Sequence, residues 1–201
     1  MLDASTFQDN DLINLAKENF INLKIDAESE YGGELFNQFQ GSGYPLIVFL
    51  DKKGLELDRF YGYLPAYEFM MKMENVMAGE NTFTYYLDEY NKNNHTAEIL
   101  KPLADKYKDK GNNDIALDLY KKLIASSNVS KEDYKIAEYN IASLSLENNQ
   151  ADYMLTYLKD NQEDSNFENG VYDLINYYKS NQMEEDELAT YVKYLSLLNQ
   201  S

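Results

Sequence analysis

The chain has no cysteine, and this absence removes several kinds of chemistry at once. A polypeptide without cysteine forms no disulfide framework, offers no thiolate to a metal and performs no thiol catalysis with its own side chains. Its single histidine, His95, lies in a polar stretch with no second imidazole or thiolate to complete a zinc site. No pair of acidic residues can be assigned as acid and base. We therefore expect no metal, no cofactor and no catalytic residues in these 201 residues.

Basic residues are also scarce, since 18 lysines and arginines face 35 aspartates and glutamates and leave a formal charge of −17. This field repels phosphate backbones and anionic lipids, so we expect no nucleic acid as a partner and favour a basic or neutral one. No apolar run approaches the roughly 20 residues that span a bilayer. Residues 1–11 are acidic and polar, unlike a secretory signal peptide.

Strand patterns are confined to the first third of the chain. Residues 20–25 alternate between apolar and polar side chains, which predicts a strand covered on one side. Residues 46–50, LIVFL, are apolar without a break, which favours a central strand covered on both faces. The turn 51–54 ends in glycine, and residues 55–63 then predict an antiparallel partner. A β-hairpin is therefore expected at residues 46–61.

Helical patterns surround these strands. Residues 9–19 have a helical period with Asp9 or Ser5 as the N-cap, and shorter helical segments follow at 34–39 and 66–77. The predicted order is helix, strand, short helix, strand, strand, helix. An alternation of this kind is typical of an α/β domain.

From residue 81 onward only helical spacing is found. Apolar residues recur at intervals of three and four, separated by short breaks that contain Gly111, Asn148 and Asn181. The breaks recur at intervals of roughly 35 residues, a period typical of helical-hairpin repeats. The expected hairpins cover residues 97–128, 131–161 and 166–199. The run 183–187, MEEDE, suits the positive end of the last helix.

Pro45 stands directly before the apolar run 46–50. Proline cannot donate to a strand ladder, so within sheets it is confined to edges, bulges and first residues. Two interpretations are open: a simple strand start, or a special turn that presents its backbone to a ligand.

Residues 1–78 resemble the C-terminal two-thirds of a thioredoxin domain. The matching stretches are TFQDNDLINLAKENFINLKIDAES, GSGYPLIVFLDKKGLELDRFYGY and the helix around EFMMKM. The resemblance implies that Pro45 is a cis-proline, an isomer that costs only about 0.5–1 kcal/mol before proline. It also implies that Gly43, Tyr44 and Pro45 form the substrate- or peptide-binding loop beside the dithiol of the family. A trans proline that opens a strand is the alternative.

The Cys-x-x-Cys motif of that family would lie immediately before residue 1 or in its place, and the strand that carries it would separate 20–25 from 46–50. The resemblance therefore implies that this chain is a fragment of a longer protein whose remaining part carries the chemistry. Three alternatives are a domain-swapped dimer, a dimer paired through the exposed sheet edge, and direct pairing of the two strands in an abridged sheet.

The second part of the chain resembles tetratricopeptide repeats, most clearly in the hairpin 97–128. Six residues of this hairpin match the spacing of the motif: Ala104, Tyr107, Gly111, Ala116, Tyr120 and Leu123. Small residues let two helices approach closely, and aromatic residues fill the space between repeats. The hairpins 131–161 and 166–199 keep the period but few of the signature residues.

Two domains are predicted: a truncated α/β thioredoxin-like domain at 1–79 and an all-α helical-hairpin domain at 80–201. The resemblance implies that the parent protein is a thiol–disulfide oxidoreductase or a relative of one. The alternative is a non-redox scaffold that binds proteins or extended peptides. By family analogy the compartment would be a bacterial periplasm or cell envelope.

Overall fold

The computed structural model describes residues 2–198, with side chains up to Tyr194. Across this range the protein is mostly helical, with ten α-helices and one two-stranded antiparallel sheet. The chain forms two compact units: the first contains the residues up to His95 together with Asp105–Asn112, and the second contains Thr96–Ala104 and the residues from Asn113 onward. The predicted boundary after residue 79 remains a prediction.

The first unit begins with two short 3-10 turns and contains six regular elements. These are helix α1 (Asn10–Asn19), helix α2 (Glu30–Gln38), strand β1 (Leu46–Leu50), strand β2 (Glu56–Tyr61), helix α3 (Ala66–Ala78) and helix α4 (Phe83–Asn91). The helices expected at 9–19, 34–39 and 66–77 are confirmed. Of the two candidate caps, Asp9 is the one used, because its carboxylate accepts from the backbone N–H groups of Asp11 and Leu12.

The predicted hairpin is also confirmed. Strand β1 pairs with β2 in an antiparallel register that sets Leu46 opposite Tyr61 and Phe49 opposite Asp58. Gly54 occupies the turn with φ +80°, the left-handed conformation that glycine adopts most easily. The peptide bond between Tyr44 and Pro45 is cis, as expected.

The strand predicted at residues 20–25 is wrong. Residues 20–26 have no regular secondary structure, and Ile21 and Leu23 are 94% and 80% exposed. The physical reason is that a strand needs a neighbour for its N–H and C=O groups, and the sheet in the described part of the chain contains only β1 and β2. Direct pairing of 20–25 with 46–50 is therefore not observed. Coverage of β1 on both faces is also wrong, since only Phe49 of this strand is buried.

The core of the first unit is built mainly from phenylalanine. Its buried members are Leu12, Phe49, Phe60, Phe69 and Met73. The ring of Phe69 meets that of Phe60 edge to face at 5.2 Å, and that of Phe7 at 5.7 Å. Such geometry adds to the apolar area that these rings remove from water. The core joins α1 and α3 to one face of the hairpin.

Gly32 fixes the start of α2 against the irregular segment. A Cβ atom at this position would lie 1.8 Å from the carbonyl oxygen of Asp26. Ser29 caps the helix by accepting from the N–H of Gly32 at 3.1 Å, and its hydroxyl donates to the same Asp26 oxygen at 2.6 Å. The backbones therefore approach here more closely than any side chain allows.

The second unit consists of consecutive helical hairpins. It contains the first residues of helix α5 (Ala97–Asp109), then helix α6 (Asn113–Ile124), helix α7 (Lys131–Glu147), helix α8 (Ala151–Asp160), helix α9 (Phe167–Ser180) and helix α10 (Glu184–Leu198). The six helices fall within the three predicted hairpins, so their positions are confirmed for the residues that are described. Ala104 and Ala116 are fully buried, as expected for small residues between helices. Membership of the tetratricopeptide family remains a prediction.

One core cluster of the second unit lies around α8 and α9. Met154, Leu158 and Leu174 are fully buried there. Gly170 allows the two helices to approach, because a Cβ atom at this position would lie 3.1 Å from the Leu158 side chain. No helix within residues 2–198 is both long and apolar enough to cross a membrane.

Candidate peptide-binding surface

The three predicted binding residues form one loop immediately before β1. Tyr44 is 65% exposed, and its ring stacks on Phe36 with the centroids 4.7 Å apart. Pro45 is exposed, and its carbonyl oxygen accepts from the N–H of Gly62 at 2.9 Å. A Cβ atom at Gly43 would make only an ordinary contact, 3.8 Å from the ring of Tyr61. The structure thus brings the three residues together, with Tyr44 as the prominent side chain.

The segment just before this loop is anchored to β2 by two hydrogen bonds. The N–H of Ser42 donates to the hydroxyl of Tyr61 at 3.3 Å. Upstream, the Nη1 atom of Arg59 donates to the carbonyl oxygen of Phe39 at 2.7 Å. These bonds hold the segment between α2 and β1 in a fixed position, which is what a preformed binding loop needs.

One edge of β1 is open. The bond from Gly62 N–H to the Pro45 oxygen makes these residues a hydrogen-bonded pair, and such pairs alternate along an antiparallel ladder. The backbone N–H and C=O groups of Val48 therefore point away from β2, as do those of Leu46 and Leu50. No third strand covers this edge within the described sheet. An edge of this kind is a ready template for another extended segment.

The irregular segment 20–26 adds a row of exposed apolar side chains to the same unit. Every second residue is apolar and exposed: Ile21 by 94%, Leu23 by 80% and Ile25 by 40%. The segment starts beside β1, because the ring of Phe20 lies 5.9 Å from that of Phe49. Lys24 forms a salt bridge of 2.6 Å with Asp3. We call the open edge of β1 and this apolar row the open-edge surface.

Sequence reasoning missed a charged network that holds the hairpin. The carboxylate of Asp58 is buried, forms an ion pair with Lys106 and accepts from the N–H of Phe83 at 3.2 Å. Glu56 accepts from Arg59 at 2.5 Å and pairs with Lys110 at 2.7 Å. Buried charges persist only when they are paired in this manner.

The network also shifts the pKa values of its members. Burial lowers the pKa of Lys106, and the attraction of Asp58 only partly offsets this effect. Burial alone would raise the pKa of Glu56, but hydrogen bonds from Arg59 and Lys110 outweigh it, so the pKa is lowered. The signal available in the sequence was the presence of charged residues next to apolar ones within a predicted strand. This pattern could have indicated that the charges are buried. The lysine partners, Lys106 and Lys110, lie too far along the chain for that signal to identify them.

The second unit contains polar groups of a different type. Asp173 accepts from the hydroxyls of Tyr139 and Ser143, each at 2.9 Å. Asp164 accepts from the hydroxyl of Tyr157 at 2.8 Å. Burial and the neighbouring carboxylate together raise the pKa of Tyr157 above the usual tyrosine range. These hydroxyls therefore act as hydrogen-bond donors within the fold.

His95 also has a local role, since its ring stacks on Tyr90 with the centroids 4.4 Å apart and its Nε2 atom lies 3.2 Å from the Tyr90 carbonyl oxygen. Within residues 2–198 no three histidine, aspartate or glutamate residues are grouped as they would be around a metal ion.

No protein-family model, curated protein or solved structure matches the chain. The architecture by itself defines the class: a mainly helical protein with a small antiparallel sheet.

Proposed function

We propose that this chain is a non-catalytic protein-binding module, whose first unit binds an extended segment of another polypeptide along the open-edge surface. The observation that carries this proposal is the exposure of Ile21 and Leu23, by 94% and 80%, in an irregular segment whose first residue, Phe20, contacts Phe49 of the strand with the unpaired edge. An added strand would satisfy the outward backbone groups of β1 and cover the apolar row at the same time.

Both the apolar side chains of the row and the outward backbone groups of β1 would contribute to the free energy of binding. Covering apolar surface contributes about 25 cal/mol for each Å² removed from water. Strand addition further provides main-chain hydrogen bonds that do not depend on the sequence of the partner, while alternate side chains determine specificity. The partner segment should be neutral or basic, because the formal charge of the chain is −17.

A second candidate is a role in a thiol–disulfide oxidoreductase of thioredoxin-like type. It is supported by the order of α1, α2, β1, β2 and α3 and by the loop at residues 43–45. Because the chain has no cysteine, the dithiol would have to come from outside residues 1–201. Reading the natural gene for a Cys-x-x-Cys motif and assaying its full product for insulin reduction tests this candidate. Absence of the motif would exclude it.

The proposed binding can be tested by NMR with the whole chain and a defined peptide. The probe is a short capped peptide of alternating valine and lysine, which favours an extended backbone. We expect its addition to shift the backbone amide signals of Leu46, Val48 and Leu50 and to slow their hydrogen exchange. The control is the same peptide with every backbone nitrogen methylated, which keeps the charge but removes the donors from both edges of the extended peptide. This control should not protect the three amides.

Two double variants then test the apolar row. Ile21→Ser combined with Leu23→Ser should weaken binding of the probe by at least about tenfold, since each large apolar side chain contributes about 1.5–3 kcal/mol when buried. Leu188→Ser combined with Val192→Ser removes two exposed apolar residues from α10, which are 64% and 72% exposed. This second variant should bind as the unaltered chain does.

Three results would overturn the proposal: no protection of the β1 amides, equal binding of the methylated peptide, or equal weakening by both double variants. A concentration-dependent dimer in sedimentation that the Ile21→Ser, Leu23→Ser variant abolishes would also overturn it. The occupant of the open-edge surface would then be a second copy of the chain.

A further inference from the structure

The second unit contains a groove on the surface formed by α6, α7 and α8. Its volume is about 400 Å³, and its floor includes Ile124, Ile141, Ala142 and Tyr157. Ile141, Ala142 and Tyr157 belong to the buried residues of the unit, while Tyr153 at the rim is 47% exposed. The groove thus offers apolar surface to a ligand without any rearrangement of the helices.

The rim of this groove is acidic. Glu138 of α7 and Asp152 and Asp160 of α8 all line it. Asp152 and Asp160 are exposed, and neither has an ion-pair partner among the residues described. Asp152 and Asp160 therefore lie beside the apolar floor without an ion-pair partner in the described part of the chain.

Two lysines close to the groove, Lys135 and Lys121, already have other contacts. Lys135 pairs with Asp164 at 3.1 Å, and Asp164 already accepts from Tyr157. Lys121 lies over the ring of Tyr153 at 5.9 Å from the centroid, at the outer limit of a cation–π contact. The groove keeps a negative character next to its apolar floor.

The ionisation of Glu138 reports the same surroundings. Its pKa is raised, first by burial and then by the negative charges of Asp164 and Asp160, while Tyr134 and Lys135 act in the opposite direction. A cation placed in the groove would relieve this repulsion, because like charges close together disfavour the ionised form.

We propose that this groove is a docking site for a segment of a partner protein that carries lysine or arginine flanked by apolar side chains. The aliphatic part of such a side chain would cover Ile141 and Tyr157, and its charged end would reach the carboxylates of Asp152 and Asp160. An acidic segment would meet like charge on the rim. This site lies in the second unit and does not depend on the open-edge surface.

The experiment uses the whole chain and a short capped peptide of leucine, alanine and lysine. NMR should show shifts of the methyl signals of Ile124 and Ile141 on addition of this peptide. A matched peptide with glutamine in place of each lysine should bind about three- to tenfold more weakly, as expected for the loss of exposed ion pairs. A version with glutamate should give no shifts at these methyl groups.

Variants locate the effect in the groove. Asp152→Asn combined with Asp160→Asn should weaken binding of the lysine peptide by about three- to tenfold. Asp118→Asn combined with Glu168→Gln changes the net charge equally at two exposed positions outside the groove and should leave binding unchanged. Thr156→Phe, at an exposed lining position, should fill the groove and abolish the methyl shifts.

The proposal is overturned if the groove methyl groups do not respond, or if the glutamate peptide shifts them equally. It is also overturned if the two charge-neutralising variants weaken binding to the same extent, because the peptide would then sense only the total charge. Circular dichroism of each variant, compared with that of the unaltered chain, shows that the helices are retained and keeps every result interpretable. The amides of β1 serve as a separate readout, so this outcome and that of the open-edge surface can be distinguished.

Discussion

The first unit closes its core with phenylalanine rings and buries both members of the ion pair between Asp58 and Lys106, whereas the second places tyrosine hydroxyls against its carboxylates and pairs Asp164 with a lysine, Lys135, that is 38% exposed. Asp58 meets Lys106 in the first unit, while Asp173 meets Tyr139 and Ser143 in the second. A charge pair is costly to break, because the remaining ion is left without its counterion. A hydroxyl bond to a carboxylate is easier to replace. The first unit should therefore be more sensitive to the loss of one polar group.

The exposed apolar residues of the two units also differ, because they are attached to backbones with different hydrogen bonding. Leu188 and Val192 project from a helix whose backbone is satisfied within itself, so their exposure costs only apolar hydration. Ile21 and Leu23 project from a segment whose backbone has no ladder partner. The proposed strand addition would therefore cover apolar side chains and satisfy backbone groups in the first unit, whereas the exposed residues of α10 offer only apolar side chains.

The largest expected effect is that of Asp58→Ala. It leaves the ammonium group of Lys106 buried without its carboxylate, and we expect the free energy of unfolding to fall by about 3–5 kcal/mol. Urea denaturation with hydrogen exchange of the β1 and β2 amides would measure it. The control is Lys24→Met, which removes the salt bridge between Lys24 and Asp3, whose side chains are 76% and 67% exposed.

The control should cost about 0–1 kcal/mol. Adding Lys106→Met to Asp58→Ala should restore much of the stability, since both charges are then absent. If Asp58→Ala costs no more than the exposed control, the charged network does not hold the hairpin and the contrast between the units fails.

A smaller effect is expected for Asp164→Ala in the second unit. This variant removes the acceptor of the Tyr157 hydroxyl, the Asn166 N–H and the Lys135 ammonium, and it should cost about 2–3 kcal/mol near neutral pH. Thermal unfolding followed by circular dichroism at several pH values measures the loss. Glu163→Ala, at the exposed neighbour, should have little effect at any pH.

The pH dependence has a definite sign. Burial alone would raise the pKa of Asp164, but hydrogen bonds from Asn166, Tyr157 and Lys135 outweigh it, so the pKa is lowered from the ordinary value of 3.8. The stabilisation is therefore complete above pH 3.8 and is lost as the pH falls through the lower folded value. The difference in the free energy of unfolding between the unaltered chain and the Asp164→Ala variant should therefore become smaller as the pH falls. A difference that grows toward low pH would contradict this assignment.

The smallest expected effect compares two adjacent glycines of α2. Gly32→Ala should destabilise the first unit by about 1–3 kcal/mol, because its Cβ would overlap the Asp26 carbonyl oxygen. Gly33→Ala places its Cβ 3.4 Å from the Ala27 oxygen and should stabilise the helix by up to about 1 kcal/mol. Chemical denaturation measures both. Equal effects of the two substitutions would show that the irregular segment is not held against α2.

The residues predicted the helices and the hairpin well, because these elements satisfy their backbones locally. Asp9 at α1 and the glycine of the turn at residue 54 are recognisable without knowledge of the fold. The same reasoning failed at 20–25. The alternating pattern of these residues predicts two faces of a strand. It does not show whether an adjacent strand is present to form hydrogen bonds with it.

The binding role predicted for the loop at residues 43–45 stays a prediction, and this loop precedes β1 without being part of the open-edge surface. The loop at residues 43–45 was selected through the resemblance to thioredoxin domains, and the structure shows Tyr44 as its exposed side chain. The exposure of Ile21 and the open edge of β1 depend on what is adjacent in space. The acidic groove near Glu138 and Asp160 also requires three helices to be placed together.

The sequence by itself determined the charge of −17, the absence of thiol chemistry and the positions of the helices. A helix bonds residue to nearby residue, so its signals are contained in a short stretch. Only the tertiary structure decided that Asp58 pairs with Lys106 and that residues 20–26 have no strand partner. Both facts depend on groups that are distant in sequence, because buried charges and strand backbones must find their partners outside their own segment.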